Sequence, residues 1–313
     1  AYTLYLRGRY FWDRRPGGLT KALEYFEKAL DIDPGYAVAY TGVADCHMHL
    51  GFYGYSPPKE AWPKAKAAAM RALELDGELA EAHASLGYAK VLYDWDPLAA
   101  EQAFRRAIEL NPGYAPAYYW YAIVFVVLER FEEAVVQHER ALEVDPLSVF
   151  ANAQFGWTLV GTRQFERAKD QLQRTLELDP DLALAHWLLG WGYGMEGEFA
   201  DSIRHLQKAC ELSEGSPSFL ARLGWAYGVA GRAEEARAVL SDLRERRSKR
   251  FVPSMHFAVV HVGLGETAEA LEWLERAYDE RDMWMPFLRL DGVFEPLRNE
   301  LRFTALVKKV GLP

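Results

Sequence analysis

A small residue recurs at a nearly constant interval along this 313-residue chain, and this period constrains the fold more than any other sequence feature. From Ala100 onwards the copies lie 34 residues apart. A second position, seven residues after each of them, is also small in most copies, and a third small residue lies in the preceding helix. Such a period is typical of an array of one supersecondary unit. The eight copies are Ala22, Ala65, Ala100, Ala134, Ala168, Ser202, Ala236 and Ala270.

Helix-breaking dipeptides mark the unit boundaries at the same interval. Asp33-Pro34, Asn111-Pro112, Asp145-Pro146 and Asp179-Pro180 each follow an apolar helical stretch. Proline is tolerated at a helix start because its missing N–H has no helical partner there. We therefore predict an all-α chain that stacks helix-turn-helix units along one direction.

Several motif positions resemble the tetratricopeptide repeat proteins, and the resemblance covers nearly the entire chain. It implies a right-handed α-solenoid of eight helix pairs over residues 1–282. Residues 283–313, with apolar side chains at helical spacing, are predicted to form a capping segment that closes the exposed end of the core. The positions that carry the resemblance are Leu189-Gly190-Trp191-Gly192-Tyr193, Ala134, His138, Ala141 and Pro146.

Three shorter stretches resemble a narrower group, the carboxy-terminal arrays of bacterial multidomain regulators. They are Tyr5 to Tyr10, Ala39 to Asp45 and Phe294 to Arg298. In those regulators the array follows a winged-helix, nucleotide cyclase or Ser/Thr kinase domain. The chain begins at Ala1 without a secretory signal pattern, so we expect it to be a piece of a longer protein.

In the family that this chain resembles, the first helix of each pair lines a concave groove that accepts peptides. We therefore expect a protein or peptide ligand on this face, held by aromatic anchors. The alternative is that neighbouring helices cover the rings and make them part of the core. The predicted groove residues are Tyr88, Tyr119, Trp157, Trp187, Trp191 and Trp225.

A nine-residue insertion interrupts the period in the second unit, within residues 51–63. Insertions in repeat arrays often lie on the binding face, so this aromatic, proline-rich stretch is a candidate contact loop. The alternative is that its aromatic side chains pack over neighbouring helices. The candidate contact residues are Phe52, Tyr53, Tyr55 and Trp62.

Charge and motif content disfavour several functional classes. The net charge of −9 disfavours nucleic acid and anionic membranes as partners, because proteins that bind either of them usually carry a surplus of Lys and Arg on the binding surface. The eight histidines are scattered without metal-motif spacing, and no catalytic or phosphate-binding motif is present. We predict a non-catalytic binding scaffold without cofactor or metal, and place it in a bacterial signalling or transcriptional regulator.

Some alternatives stay open at this stage. The array could dimerise its parent protein, or its aromatic groove could sense a small molecule. The basic run from Arg244 to Arg250 is either a solvated helix end or a patch for an acidic partner. Cys46 and Cys210 are far apart, which favours free thiols and the cytoplasm, with the periplasm as the alternative.

Overall fold

The computed structural model describes residues 1–12 and 17–312, and in this part of the chain helices and turns make up the secondary structure, with no strand. The predicted all-α, α-solenoid fold class is confirmed. The helices are α1 (Tyr2–Trp12), α2 (Leu19–Ile32), α3 (Ala37–Phe52), α4 (Pro58–Leu75), α5 (Ala80–Ala89), α6 (Pro97–Leu110), α7 (Ala115–Val127), α8 (Phe131–Val144), α9 (Val149–Gly161), α10 (Phe165–Leu178), α11 (Ala183–Met195), α12 (Phe199–Leu212), α13 (Pro217–Val229), α14 (Ala233–Arg247), α15 (Ser254–Gly263), α16 (Thr267–Glu280) and α17 (Leu301–Val310).

Two kinds of helix alternate along the chain. The second helix of a pair is amphipathic: in α10 the side chains of Ala168, Leu172 and Thr175 are buried, and most of the other residues are charged or polar. The first helix is apolar around most of its circumference, and in α11 most residues are buried. A helix that is apolar all round must be covered on all sides. First helices therefore lie inside the stack, and second helices present one face to solvent.

The small residues of the period lie where the two helices of a pair come closest. A Cβ atom built on Gly156 of α9 would lie 2.4 Å from Cδ2 of Leu172 on α10. On Gly190 of α11 it would lie 2.5 Å from Cγ of Leu206 on α12. Real Cβ atoms do not approach this closely, so a larger residue would separate the helices. The 34-residue period thus repeats one packing contact.

The helix boundaries follow the breaker dipeptides for a local reason. Where a second helix ends, the Asx side chain at the C-cap accepts a hydrogen bond from the backbone N–H two residues later. The donor–acceptor distances are 3.0 to 3.1 Å. This Asx turn holds the chain in a tight reversal before the next first helix. The four residues are Asp33, Asp76, Asn111 and Asp179.

The insertion in the second pair mainly lengthens helices, which differs from the projecting loop that the sequence suggested. Helix α3 runs on to Phe52, and α4 already begins at Pro58, a proline in its first turn. A non-helical link remains at residues 53–57. Pro58 is compatible with an early helix start because proline costs least there.

The chain divides into two compact units, Ala1–Val124 and Phe125–Pro313, with the division inside α7. In the second unit, α16 is followed by two short 3-10 helices, Met285–Phe287 and Gly292–Leu297, and then by α17. Arg302 of α17 donates two hydrogen bonds of 2.9 Å to Glu275 of α16. Along residues 1–12 and 17–312, none of the helices has the length and apolar character needed to cross a bilayer.

Candidate functional site

Four of the predicted groove residues are indole rings on the first helices of the second unit. Trp157 lies on α9, Trp187 and Trp191 on α11, and Trp225 on α13; we call this surface the tryptophan face. The four side chains are buried, with 4 to 8% of their surface exposed. The centroids of Trp187 and Trp191 lie 5.9 Å apart. These rings therefore already contact protein atoms on most sides.

The side chains that cover the tryptophan face come from residues 284–297 of the same chain, which we call the covering segment. The ring of Trp284 lies 6.4 Å from those of Trp157 and Trp187, measured between centroids. Phe287 meets Trp157 edge-on at 5.1 Å and 82°. These distances and angles are those of favourable aromatic pairs. The predicted capping segment therefore runs in part along the first helices, while α17 packs on α16.

A buried ion pair joins the covering segment to the tryptophan face. Arg222 of α13 donates to the carboxylate of Asp291, with an Nη2–Oδ2 distance of 3.0 Å. The two side chains are 6% and 11% exposed. The guanidinium carbon of Arg222 lies 4.8 Å from the Trp191 ring and 5.4 Å from the Trp187 ring. Arg222 is thus held between aromatic faces by cation–π contacts and neutralised by one carboxylate.

Exposed ion pairs flank this buried centre. Arg163, in the turn after α9, pairs with Glu295, and Arg289 of the covering segment pairs with Glu129. The hydrogen bond from Arg163 lowers the pKa of the Glu295 carboxyl below its ordinary value. Exposed pairs contribute little to stability because solvent screens them. The buried Arg222–Asp291 pair and the aromatic contacts therefore dominate the attachment of the segment.

The fit between the covering segment and the tryptophan face is incomplete. A cavity of about 30 Å³ lies between Trp187, His256, Trp284 and Asp291. Burial, followed by the nearby Arg222 charge, lowers the pKa of His256 to about 3, so its imidazole is neutral. The cavity is far smaller than the roughly 300–1,000 Å³ typical of small-molecule sites.

Three indole nitrogens of the tryptophan face lack hydrogen-bond partners. The buried nitrogens of Trp157, Trp187 and Trp191 have no hydrogen-bond acceptor among the described protein atoms. A buried donor without an acceptor costs about 1–3 kcal/mol. The tryptophan face therefore retains unused hydrogen-bonding capacity.

The other two predicted groove residues lie in the first unit. Tyr88 of α5 is buried, and its ring lies 5.0 Å from that of Trp120 and 5.9 Å from that of Trp62. Tyr119 of α7 is also buried and meets Trp120 edge-on at 5.7 Å. Both rings pack within an aromatic cluster of the first unit. Ligand binding by all six predicted groove residues stays a prediction.

The aromatic residues of the insertion differ in burial. Trp62 on α4 is fully buried and stacks on Tyr93 at 6.2 Å. Phe52 and Tyr53 are partly buried, with ring centroids 5.1 Å apart. Tyr55 is the exposed member of the group, at 43%. The contact role of the four residues stays a prediction, and Trp62 is part of the core.

A buried polar cluster lies between first helices of the first unit. Asp45 of α3 accepts a hydrogen bond of 2.8 Å from the hydroxyl of Ser85 on α5. Arg9 of α1 lies 3.8 Å from the same carboxylate. The cluster ties three first helices together, which is a structural role for buried polar groups that have partners.

Across residues 1–12 and 17–312, no group of three or more His, Cys, Asp or Glu side chains could hold a metal ion. One histidine pair is close: Nδ1 of His186 lies 3.1 Å from Nδ1 of His205. Nε2 of His186 also lies 3.2 Å from the carbonyl oxygen of Pro180. The pair is a local hydrogen bond between α11 and α12.

The contact between the covering segment and the tryptophan face was not predictable from the spacing of residues in the sequence. Arg222 is a charged residue within an apolar first helix, and such a residue requires a partner when buried. That signal was available in the sequence. Phe287 and Phe294 belong to the apolar residues of the predicted capping segment. Asp291 carries no comparable signal, since it lies beyond the repeats.

Models of known families match a large part of the chain. A model described as tetratricopeptide repeat matches residues 96–147 and 154–217, and a second model of the same description matches residues 18–36. The matched stretches begin near α6 and end at the start of α13, and the second lies on α2. The matches therefore lie on helices of the repeat array.

Curated relatives match a shorter part. The transcriptional regulator HilA of Salmonella typhimurium is 26% identical over 133 residues, which cover 42% of this chain and 24% of the relative. The same regulator of Salmonella typhi matches to the same extent. The chain spans about a quarter of the length of these relatives.

Solved structures share the fold. The Cut9–Hcn1 hetero-tetramer of the APC/C has a TM-score of 0.62 at 17% identity, covering 93% of this chain and 52% of that chain. PilW, described as a type IV pilus biogenesis factor, has a TM-score of 0.50 at 22% identity, covering 65% of this chain and 93% of that chain. At these identities the similarity concerns the fold alone.

Proposed function

Because this chain belongs to the tetratricopeptide repeat proteins, we propose that it is a non-catalytic scaffold that holds a protein or peptide partner on its tryptophan face. Proteins of this family generally mediate protein–protein interaction. One observation carries the proposal: the face already holds a stretch of polypeptide, the covering segment, through aromatic contacts and one buried ion pair. Buried aromatic and arginine side chains are the usual anchors of protein interfaces.

We place this scaffold in a larger bacterial regulator, as its binding or sensory module. The support is the similarity to a transcriptional regulator over 42% of this chain. A protein ligand on the tryptophan face would then control the activity of the rest of that regulator.

The same proposal excludes nucleic acid and membranes as partners and places the protein in the cytoplasm. The basic run at the end of α14 supports the exclusion of nucleic acid and membranes, since Arg246 pairs with Asp242 and Arg247 with Glu280. Intramolecular carboxylates thus neutralise charges that a phosphate backbone would need. The wide separation of the two cysteines in the sequence, Cys46 and Cys210, supports a reducing compartment.

Affinity capture from a bacterial lysate, read by cross-linking and mass spectrometry, tests the scaffold function. The baits are the wild-type chain, Asp291→Asn, which weakens the covering segment, and Glu295→Gln, a charge-matched change in an exposed pair. We expect one protein to be enriched, more strongly by Asp291→Asn than by the other two baits, and cross-linked to α9, α11 or α13. Equal recovery of the captured protein on all three baits would show that the tryptophan face is not the binding surface.

A specific observation favours self-assembly as a second candidate function. Tyr2, Leu6 and Tyr10 recur every four residues along α1, and they are 65%, 46% and 52% exposed. Side chains at this spacing share one face of a helix. Multi-angle light scattering of the wild-type chain and of Leu6→Glu tests this candidate. A mass that stays monomeric at every concentration argues against it, and a dimer that Leu6→Glu abolishes supports it.

A further inference from the structure

Arg222 is a permanently charged side chain in surroundings made mostly of aromatic rings. Its guanidinium carbon lies between 4.8 and 5.9 Å from the centroids of Trp187, Trp191 and Trp225. Among the described residues, Asp291 is the carboxylate with which it forms an ion pair. The negative charge that Arg222 requires is thus supplied by the covering segment and not by the repeats.

This arrangement limits what can take the place of the covering segment. If the segment left without a replacement, Arg222 would remain among the rings without its anion. Removing one partner of a buried ion pair costs far more than the pair contributes, because the remaining charge is desolvated and uncompensated. An occupant without a carboxylate therefore competes poorly with Asp291.

We propose, on the basis of the function above, that the tryptophan face recognises a partner peptide in which one acidic side chain lies between two aromatic residues. The acidic side chain binds Arg222 in place of Asp291. The aromatic residues take the positions of Phe287, on the Trp157 ring, and of Phe294, which lines the cavity beside Asp291. In the unbound protein the covering segment occupies the site as an internal competitor.

The spacing within the covering segment defines the ligand further. Phe287 precedes Asp291 by four residues, and Phe294 follows it by three. Short 3-10 helices lie on either side of Asp291, at Met285–Phe287 and Gly292–Leu297. A partner peptide that forms similar turns presents its acidic residue between the two rings. The acidic side chain of the peptide gives the specificity by pairing with Arg222. The two aromatic side chains of the peptide supply most of its affinity for the tryptophan face.

The covering segment is suited to displacement because its fit is incomplete. A cavity of about 30 Å³ remains beside Asp291, between the covering segment and the tryptophan face. Side chains that line a void lose packing contacts on that side. A partner peptide that fills this cavity therefore gains contacts that the internal segment lacks.

Fluorescence anisotropy with a labelled synthetic peptide tests the inference. The probe is the sequence from Trp284 to Arg298, and its matched control carries Asn at the position of Asp291. The receptors are the Asp291→Asn chain, the wild-type chain and the Glu295→Gln chain. Asparagine at 291 keeps the acceptor for the Val293 backbone N–H, which Asp291 now bonds at 3.0 Å, so that the local turn is retained.

We expect the acidic probe to bind the Asp291→Asn chain at least about tenfold more tightly than the Asn probe does. It should also bind that receptor at least about tenfold more tightly than it binds the wild-type and Glu295→Gln chains, whose own Asp291 competes. Equal affinity of the two probes overturns the requirement for a carboxylate but leaves a peptide groove. Binding of neither probe to the folded variant overturns both the inference and the proposed groove.

Hydrogen exchange of the Asp291→Asn chain tests whether this variant keeps its fold. We expect amides of residues 284–297 to exchange at least about tenfold faster than in the wild-type chain, while amides of α9 to α15 stay far more protected than those of an unfolded chain. If α9 to α15 exchange as fast as residues 284–297, the segment is an integral part of the core and the proposal is wrong. A concentration-dependent dimer of the wild-type chain with exchanged covering segments would assign the site to a second copy of this chain, which also contradicts it.

Discussion

Arg222 and Asp291, 69 residues apart in the sequence, form a buried ion pair with an Nη2–Oδ2 distance of 3.0 Å. This pair fixes the covering segment on the tryptophan face. We expect Asp291→Asn to lower the free energy of unfolding by about 3–5 kcal/mol, because it leaves a buried charge without its counter-charge. Urea denaturation followed by tryptophan fluorescence measures the effect.

Glu295→Gln is the control for that change. Glu295 pairs with Arg163 at the exposed edge of the same segment, where about half of each side chain is accessible. We expect its substitution to change the free energy of unfolding by less than about 1 kcal/mol. Similar losses for the two variants would mean that the Arg222–Asp291 pair is no more important than an exposed one.

The close approach of α13 and α15 predicts a large effect of one methyl group. A Cβ atom on Gly228 would lie 2.4 Å from the backbone carbon of Gly263, which cannot move aside as a side chain can. We expect Gly228→Ala to destabilise the protein by about 2 kcal/mol or more. Gly192→Ala is the control, because its Cβ would meet Val160 Cγ2 at an ordinary 3.6 Å. Thermal unfolding of the two variants should therefore differ clearly, and equal melting temperatures would contradict the close contact.

The buried histidine of α8 predicts acid sensitivity. His138 contacts the Thr158 hydroxyl at 2.8 Å, and burial lowers its pKa to about 3. Because the folded-state pKa lies below the ordinary value of about 6.5, stability is present above pH 6.5 and is lost as the pH falls towards 3. We expect wild-type stability to fall by about 2 kcal/mol more than that of His138→Gln between pH 6.5 and 4.5. Parallel stability curves for the two proteins would show that His138 does not cause the loss.

The buried carboxyl before the covering segment predicts the opposite dependence. Burial, with a smaller effect of Glu280, raises the pKa of Asp282 to about 7, despite a hydrogen bond from the Trp284 backbone N–H. A raised folded-state pKa means that stability is present below pH 4 and is lost as the pH rises towards 7. We expect Asp282→Asn to be more stable than the wild type at pH 8, by on the order of 3 kcal/mol, and similar to it at pH 4. Calorimetry measures the stability of both proteins at the two pH values. The same stability difference between variant and wild type at pH 4 and at pH 8 would exclude titration of Asp282.

The insertion gives a prediction that separates packing from surface contact. Trp62 is fully buried, whereas Tyr55 is 43% exposed. We expect Trp62→Ala to lower the free energy of unfolding by about 3–5 kcal/mol, and Tyr55→Ser to change it by less than about 1 kcal/mol. Chemical denaturation of the two variants is the measurement. A large effect of Tyr55→Ser would mean that the link between α3 and α4 is packed more tightly than its exposure indicates.

Features that repeat every 34 residues were predictable because the same local contact is formed in each repeat unit. Gly156 and Gly190 face Leu172 and Leu206 across a helix pair, as the small-residue period requires. The Asx turns at unit boundaries are equally local, since the side chain of Asp33 reaches a backbone N–H only two residues away. Spacing in the sequence is enough to place both features.

In the insertion, the local spacing of prolines did not predict the secondary structure. Pro58 and Pro63 suggested a loop, yet both lie within α4. Pro58 is at the helix start, where proline costs least, and the buried Trp62 adds packing that favours a helix there. Tertiary burial thus outweighed the breaker signal.

The sequence by itself determined the all-α class, the unit length and the apolar character of the first helices, because these depend on residue types at fixed short separations. Only the tertiary structure decided what lies on the tryptophan face. Arg222 belongs to the repeats and Asp291 lies beyond them, and no periodic relation links their positions. Their contact depends on the path that the chain takes after α16, and that path is set by the burial of aromatic rings and of one charge.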